Sequence, residues 1–287
     1  FYIDFVSGSD AAAGTTQGAP KKTSSSAATA AADGDTLYFW PGQTHTSGFF
    51  STGKNLTFRI WPGKGTGHVT FSGSSTSALC TVSSGADTFA IYGTINSEFR
   101  FSNTNTTDGT GPVALHFNQC PSTAADSYIL EYCRFLDTPR TGFRFSRPGG
   151  LTMRRCYGND DGNAFALTNT QAEGQNYGQN ILIEDCAAFD MRYMVRLSGT
   201  GASSDYGGVG LLLERVAGGD QYDTAIRIIR FRAERCYAVR TGSSQKFDGA
   251  GIEWFASRNI WLDGMESVDN KNIAETGTQD FGTGHAQ

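Results

Sequence analysis

Charged residues, basic clusters and long apolar runs are all scarce in this sequence. Asp, Glu, Lys and Arg make up 18% of the 287 residues, the formal net charge is −5, and no run of Lys or Arg exceeds two residues. Because nucleic-acid binding needs a concentrated basic face, we do not expect a nucleic-acid partner. No apolar stretch approaches the roughly 20 residues of a membrane-spanning helix, so no membrane span is predicted.

Proline is also rare, whereas glycine and aromatic residues are frequent. The chain has 7 Pro against 36 Gly, and aromatic residues make up 12%. This composition is typical of a protein rich in strands and turns. The first residues lack the pattern of a signal peptide, so we interpret the sequence as a processed mature form or an excised segment.

An internal repeat is the strongest structural signal. Six segments align with one another at spacings of about 20 to 30 residues, as in a solenoid whose strands are fixed and whose loops vary in length. They are residues 128–137, 151–160, 181–190, 211–220, 231–240 and 260–269.

Each repeat alternates apolar and polar positions, then carries a polar pair and a further inward position. The alternation has the period of two that identifies a β-strand, and the polar pair indicates a bend. The first apolar column is Tyr128, Leu151, Ile181, Leu211, Phe231 and Ile260. The second is Leu130, Met153, Ile183, Leu213, Ala233 and Leu262. The inward position after the bend holds Cys133, Cys156, Cys186, Val216, Cys236 and Met265.

A second strand is predicted about ten residues after the inward position of each repeat. These strands are residues 142–145, 164–167, 194–197, 225–228 and 251–254. Strands that recur in the same order with the same inward residues must stack in parallel, and closing each coil buries the stacked columns in one core. The sequence therefore predicts an all-β fold, a single right-handed parallel β-helix.

The first hundred residues are less regular but fit the same fold. Opening strands are predicted at residues 35–42, 56–63 and 88–92. The alanine-rich residues 24–32 predict a short capping helix that plugs the exposed end of the core. We expect one domain with three parts. They are an N-terminal strand and capping segment (1–50), the coils (51–275) and a polar C-terminal tail (276–287).

The repeat also predicts the state of four cysteines. At inward positions they act as small apolar fillers, so we expect them to be buried and reduced. Side chains that point the same way on neighbouring strands seldom reach the torsion that a disulfide requires. The four are Cys133, Cys156, Cys186 and Cys236, whereas the state of Cys80 and Cys120 stays open.

The N-terminal segment carries a series of short motifs. They are Gly8-Ser9-Asp10, Gly14-Thr15, Pro20, Thr23 and Gly34-Asp35-Thr36-Leu37. This opening resembles that of secreted and phage-borne β-helix proteins, in particular polysaccharide lyases acting on alginate, chondroitin-type chains or pectate, and phage tailspike depolymerases. The resemblance implies an extracellular, secreted or virion-associated protein whose partner is a polysaccharide.

A column of arginines is predicted on the outer face of the second strands. It reads Arg144, Ala166, Arg196, Arg227 and Glu253. Three arginines on one face would attract a polyuronate or sulfated glycan. The alternative interpretation is an ordinary solvated sheet surface on which each arginine pairs with a nearby carboxylate.

Lys246 is the candidate base for cleaving such a glycan. It lies in the loop before the last second strand and is the only lysine between Lys64 and Lys271. Elimination in a uronate needs a base close to a neutralised carboxylate. We predict Lys246 as the base and Arg227 as the neutraliser, with Arg196 as a further catalytic residue; the alternative is a hydrated loop lysine.

A column of aspartates follows the first strands. It reads Asp137, Asp160, Asp190, Asp220 and Asp269, interrupted by Arg240. Stacked carboxylates must be hydrated, paired, or bridged by a hard cation such as Ca²⁺, and they could instead perform acid–base hydrolysis. The candidate Ca²⁺ ligands are Asp160, Asp161, Asp190 and Asp248.

Three functions remain open from the sequence. The leading hypothesis is a polysaccharide lyase acting on an acidic glycan as a monomer, with substrate-binding candidates on and beside the arginine column. The second is a phage tailspike or receptor-binding protein that binds or hydrolyses bacterial surface glycan as a homotrimer, and the third is a non-catalytic adhesin or filament element. The substrate-binding candidates are Arg144, Glu253 and the sugar-stacking residues Tyr193, Tyr222 and Trp254.

Overall fold

The computed structural model describes residues 1–105, 112–159, 162–169, 178–191, 208–240, 250–255 and 257–274. Within them the chain forms three parallel sheets, named A, B and C here, and successive coils add one strand to each sheet in that order. The predicted all-β parallel solenoid is confirmed. The complete coils contain three strands, whereas the sequence predicted two.

The strand bounds follow this three-sheet plan. Sheet A contains Tyr2–Ile3, Thr36–Phe39, Leu56–Ile60, Phe89–Tyr92, Tyr128–Glu131, Leu151–Arg154, Ile181–Glu184, Ile226–Ile229 and Ile260–Asp263. Sheet B contains Thr44–His45, Val69–Gly73, Phe99–Asn103, Cys133–Leu136, Tyr157–Asn159, Ala187–Phe189, Arg232–Glu234 and Glu266–Val268. Sheet C contains Ser51–Thr52, Ala78–Val82, Val113–Asn118, Thr141–Ser146, Asn163–Thr168, Val209–Glu214 and Ile252–Phe255. Tyr237–Arg240 pairs separately with Lys271–Ala274.

The core is built from columns of inward side chains that run through the coils. In sheet A the column reads Leu37, Phe58, Ile91, Leu130, Met153, Ile183, Ile228 and Leu262. In sheet B, Phe71, Phe101 and Phe135 stack with ring centroids 5.1 and 5.6 Å apart. These columns bury the apolar face of every sheet in one continuous interior.

Two of the six predicted repeat segments belong elsewhere in the coil. Val209–Glu214 is a sheet C strand, in which Leu211 pairs with Phe165 and Ile252. The sheet A position of that coil is filled by Ile226, which the sequence placed in a second strand. Residues 231–240 also begin at a different place, because Phe231 directly precedes a sheet B strand.

The misalignment has a physical cause in the corners of the coil. A Glu followed by a left-handed polar residue ends a strand in all three sheets: Asp185 (φ 53°) after sheet A, Arg235 (φ 54°) after sheet B and Arg215 (φ 54°) after sheet C. An apolar strand followed by a polar pair therefore identifies a corner without indicating which corner it is.

The prediction that the cysteines are buried and reduced is confirmed, whereas the prediction that four of them share one column is only partly correct. All six cysteines are free and buried. Cys133, Cys156 and Cys186 occupy equivalent places before the paired residues Arg134, Tyr157 and Ala187. Phe231 and Met265 continue this column, whereas Cys236 and Val216 lie beyond the ends of strands in sheets B and C.

The N-terminal end of the core is covered as the sequence predicted. The helix Ser24–Ala30 begins after Thr23, whose hydroxyl accepts the Ser26 N–H at 3.2 Å, and its buried Ala27 and Ala28 join the main core. The Lys54 ammonium donates to the carbonyl oxygens of Ala28, Thr29 and Ala31, which stabilises the end of the helix.

The three opening strands are also confirmed. None of the helices in the described ranges is long and apolar enough to cross a membrane.

Candidate functional site

The outer face of sheet C holds part of the predicted substrate-binding column. The register there reads His116, Arg144, Ala166, Leu212 and Glu253. Arg144, Ala166 and Glu253 are thus aligned as predicted. Leu212 occupies the place that the sequence gave to Arg196, which lies outside the described residues, as do Lys246 and Tyr193.

The prediction that Arg227 shares one face with Arg144 is wrong. Arg227 lies on sheet A, where it pairs with Leu182 and Trp261, and so belongs to a different face from Arg144. The cause is the misplaced strand at residues 225–228, whose alternating pattern fits sheet A as well as sheet C. The catalytic roles proposed for Arg227, Arg196 and Lys246 stay predictions.

A small cleft opens on the outer face of sheet C beside Arg144. We call it the sheet C cleft, and its lining residues are Arg140, Thr141, Arg144, Asn163, Ala166, Thr168, Leu212 and Glu214. Asn163 and Thr168 are only 1% and 5% exposed, yet among the described residues the Oδ1 atom of Asn163 and the hydroxyl of Thr168 have no hydrogen-bond partner. Buried polar atoms are nearly always partnered, so these two atoms are exceptions in the lining of the cleft.

His116 adds a neutral imidazole next to this cleft. Its Nε2 lies 2.9 Å from the Ser146 hydroxyl, and its strand neighbour is Arg144. Burial, together with the positive charge of Arg144, lowers the pKa of His116 to about 4. At neutral pH the imidazole is therefore uncharged, and its lowered pKa makes it a weaker base than an exposed histidine.

The charges around the cleft suit an anionic ligand that also carries hydroxyl groups. Arg140 and Arg144 supply two guanidinium groups, whose planar donors match a carboxylate or sulfate. Glu214 on the opposite part of the lining supplies an acceptor for hydroxyl groups. The lining of the cleft thus combines guanidinium donors with a carboxylate acceptor.

Arg227 is brought together with one predicted sugar-stacking residue on another face. Its guanidinium carbon lies 5.5 Å from the centre of the Tyr222 ring, and Tyr222 lies 5.3 Å from Trp261. Tyr222 and Trp261 are 47% and 54% exposed, and Trp261 lies on the last strand of sheet A. The predicted stacking residue Trp254 is also exposed and lines a separate pocket with Arg258 and Ile260.

The aspartate column exists at the corner after sheet B, with one arginine inside it. Its described members are Asp137, Asp190, Arg235 and Asp269, each at a left-handed position. Arg235 binds both carboxylate oxygens of Asp190, at 2.7 and 2.9 Å, and the Tyr237 hydroxyl donates to Asp269 at 2.5 Å. Asp220 and Arg240 lie elsewhere, so their predicted places in the column are wrong.

Only one of the four predicted Ca²⁺ ligands lies within the described residues. Asp160, Asp161 and Asp248 lie outside the described residues, and Asp190 is bound by Arg235. Among the residues that the structure describes, no group of three or more His, Cys, Asp or Glu side chains is placed to hold a metal ion. The Ca²⁺ prediction is thereby not tested at its three other ligands.

Sequence reasoning missed several residues of the cleft. His116 lies in a strand, Val113–Asn118, that precedes the aligned repeats, and its neighbour in the column could not be inferred without that strand. Asn163, Thr168 and Glu214 lie at the ends of sheet C strands, where polar residues are usually attributed to turns. A polar residue ends four consecutive sheet C strands, at Asn118, Ser146, Thr168 and Glu214, and this recurrence could have indicated Thr168 and Glu214.

Comparison with known proteins adds no relative. No protein-family model, curated protein or solved structure matches this chain. The function has to be argued from the fold and the site.

Proposed function

We propose that this chain is a glycan-active β-helix protein that binds an acidic polysaccharide in the sheet C cleft and cleaves it by β-elimination. The observation that carries the proposal is the convergence of Arg140 and Arg144 with the unpartnered buried polar atoms of Asn163 and Thr168. Guanidinium groups bind sugar carboxylates, and an unpartnered amide oxygen and hydroxyl gain hydrogen bonds from a hydroxylated ligand. An extracellular or virion-associated location follows from the N-terminal resemblance and is part of the proposal.

The elimination step needs a neutralised carboxylate and a base. A base removes the proton from the carbon next to the uronate carboxylate, a carbon–carbon double bond forms, and the glycosidic oxygen leaves and takes up a proton. In this proposal Arg144 neutralises the carboxylate, and the uncharged imidazole of His116, its strand neighbour, is one candidate base. Lys246, the base predicted from the sequence, is the alternative.

The first test is an activity screen on acidic glycans. The full chain is incubated with alginate, pectate and chondroitin, with and without a chelator, and both the ultraviolet absorbance of the unsaturated uronate and the reducing sugar are followed. Rising absorbance supports elimination. Reducing sugar without that absorbance would indicate hydrolysis, and a loss of activity with chelator would support the predicted Ca²⁺. The absence of both products would contradict the proposed cleavage and leave a binding role.

The second test locates the site with matched arginine variants. Arg144→Gln and Arg140→Gln are expected to weaken binding of the active glycan by about tenfold or more, because each removes a charge-assisted contact. Arg154→Gln is the control, since Arg154 lies on sheet A and is already paired with Glu131 and Glu184. Equal effects of all three variants would contradict the sheet C cleft. His116→Gln and Lys246→Ala then distinguish the two candidate bases by their turnover rates.

The size of the protein in solution separates the lyase from the tailspike hypothesis. A monomer fits a lyase, whereas a stable homotrimer would favour a tailspike or receptor-binding protein. Analytical ultracentrifugation of the full chain distinguishes these outcomes.

A further inference from the structure

We propose that the outer face of sheet B carries a second, separate binding site for a carboxylate-bearing sugar. The site consists of His68, Glu98, Arg100, Arg134 and Tyr157, which we call the His68 cluster. It lies on a different sheet from the sheet C cleft and does not depend on any cleavage reaction. The proposal therefore goes beyond the function proposed above.

Neighbouring coils bring these side chains together. Arg100, Arg134 and Tyr157 are consecutive in one sheet B column, and His68 and Glu98 directly precede the strands of the two coils before Arg134. Arg100 Nε lies 3.1 Å from Glu98 Oε2, and Arg134 Nη1 lies 4.0 Å from the same oxygen. The Arg134 guanidinium carbon lies 5.7 Å from the centre of the Tyr157 ring.

The His68 cluster has more positive than negative charge at neutral pH. Two adjacent guanidinium groups share the single carboxylate of Glu98. His68 adds no further positive charge, because partial burial and the charge of Arg100 lower its pKa and keep its imidazole uncharged. Like charges on neighbouring strands destabilise each other. An added carboxylate would relieve this repulsion.

Arg134 is the member of the His68 cluster whose guanidinium has unused hydrogen-bonding capacity. Its Nε is buried and has no hydrogen-bond partner in the described part of the chain, and its contact with Glu98 is at the outer limit of an ion pair. Arg232, farther along the same sheet B column, shows what a structural arginine looks like there. Its guanidinium binds Glu234 at 2.7 Å and Glu266 at 3.0 Å. Within the described ranges, Arg134 is thus an arginine of this column without a carboxylate closer than 4.0 Å.

His68 also faces more donors than a neutral ring can satisfy. The Glu98 N–H lies 3.3 Å from His68 Nδ1, and Arg100 Nη2 lies 2.7 Å from Nε2. A neutral imidazole has only one acceptor nitrogen, so one of these N–H groups lacks an acceptor. A planar carboxylate bound between Arg100 and Arg134 would accept from both guanidinium groups, and Tyr157 would contact the attached sugar.

Titration of the full chain with sodium glucuronate tests this site. The imidazole resonances of the chain's four histidines are followed by NMR, and His68→Gln assigns the signal of His68. We expect a saturable shift at His68, a rise of its pKa on binding, and an affinity at least about tenfold weaker in Arg134→Gln. Arg134→Lys, which keeps the charge but loses the planar fork, is expected to fall in between.

Arg232→Gln is the matched control and should bind glucuronate like the wild type. Arg144→Gln should leave the His68 response intact, which separates this proposal from that for the sheet C cleft. A His68 signal that does not respond to glucuronate, or an Arg134→Gln variant that is folded and binds normally, would overturn the site. Binding of glucose 6-sulfate as tight as that of glucuronate would overturn its assignment to carboxylates.

Discussion

Single residues at the corners of the coil adopt a backbone conformation that side chains usually avoid. After sheet A, Tyr132, Arg155, Asp185 and Arg230 have φ values between 50° and 53°. For a residue with a side chain this left-handed region costs about 1–2 kcal/mol. Hydrogen bonds between coils hold the corners in place, since the N–H groups of Tyr132 and Arg155 donate to the carbonyls of the next coil at 3.1 Å.

Arg215 gives a clean test of this corner strain. Its φ is 54°, its side chain is exposed, and the described residues offer it no hydrogen bond or ion pair. Arg215→Gly is expected to raise the free energy of unfolding by about 0.5–1 kcal/mol, because relief of strain exceeds the added entropy of the unfolded chain. Arg215→Val should lower it, since β-branching worsens the same strain. Denaturant unfolding measures both, and changes of the same sign would contradict the explanation.

His116 predicts a pH dependence of stability. Its pKa is lowered to about 4 in the folded protein by burial and Arg144, and an unfolded histidine has a pKa of about 6.5. The unfolded state therefore binds the proton first as the pH falls, so stability is full above pH 6.5 and declines towards pH 4, by at most about 3 kcal/mol.

Comparison with His116→Gln isolates this contribution, since buried His45 also has a lowered pKa and acts in the same direction. Glutamine can keep a hydrogen bond to Ser146 but does not titrate. Between pH 6.5 and 4 the stability of the variant should fall less steeply than that of the wild type. If the free energy of unfolding fell equally steeply with pH in the wild type and in His116→Gln, His116 would be as easily protonated in the folded protein as in the unfolded one.

The elements show which parts of the fold could be predicted. Sheet A strands have four or five residues with clear alternation in the central coils, and the parallel stacking followed from them. Sheet B was missed as a strand because its later members have only three residues, such as Tyr157–Asn159 and Ala187–Phe189, and their inward side chains are small. Gly158, Ala188 and Ala233 give too little apolar contrast for a period of two to be recognised.

The cysteines test the packing of these elements. Burial raises the pKa of the thiols of Cys80, Cys156 and Cys186 and raises that of Cys120 and Cys236 to about 12. Thiolates are the reactive form, so iodoacetamide at mildly alkaline pH should leave the native protein unlabelled. In denaturant without reductant all six cysteines should react, as measured by intact mass. Incomplete labelling that reductant restores would reveal a disulfide and contradict the stacked arrangement.

At the scale of the whole molecule, ion pairs between coils determine which arginines have close carboxylate partners. Arg154 is shared by Glu131 and Glu184, and Arg230 binds Glu184 and Asp185. The sequence placed Arg144 and Glu253 in one column but could not indicate the partners of the arginines, because those partners come from other coils. The sheet C cleft and the His68 cluster therefore became visible only with the coils in register.

The last described coil is less covered than the middle of the core, which predicts unequal effects of one substitution at two places in one column. Leu130 is fully buried between Ile91 and Met153, whereas Leu262, at the same inward position in the last described coil, is 36% exposed and has Ile228 as its one described column neighbour. Leu130→Ala should lower the free energy of unfolding by about 2–5 kcal/mol through lost burial and a cavity.

Leu262→Ala should cost less than half as much, because its side chain already contacts solvent and its removal leaves no enclosed cavity. Denaturant unfolding of both variants measures the difference, and hydrogen exchange assigns it to coils, since coils of a solenoid can open separately. Equal costs would mean that another segment or a second molecule covers the last coil in solution, and ultracentrifugation of the same samples would tell these two apart.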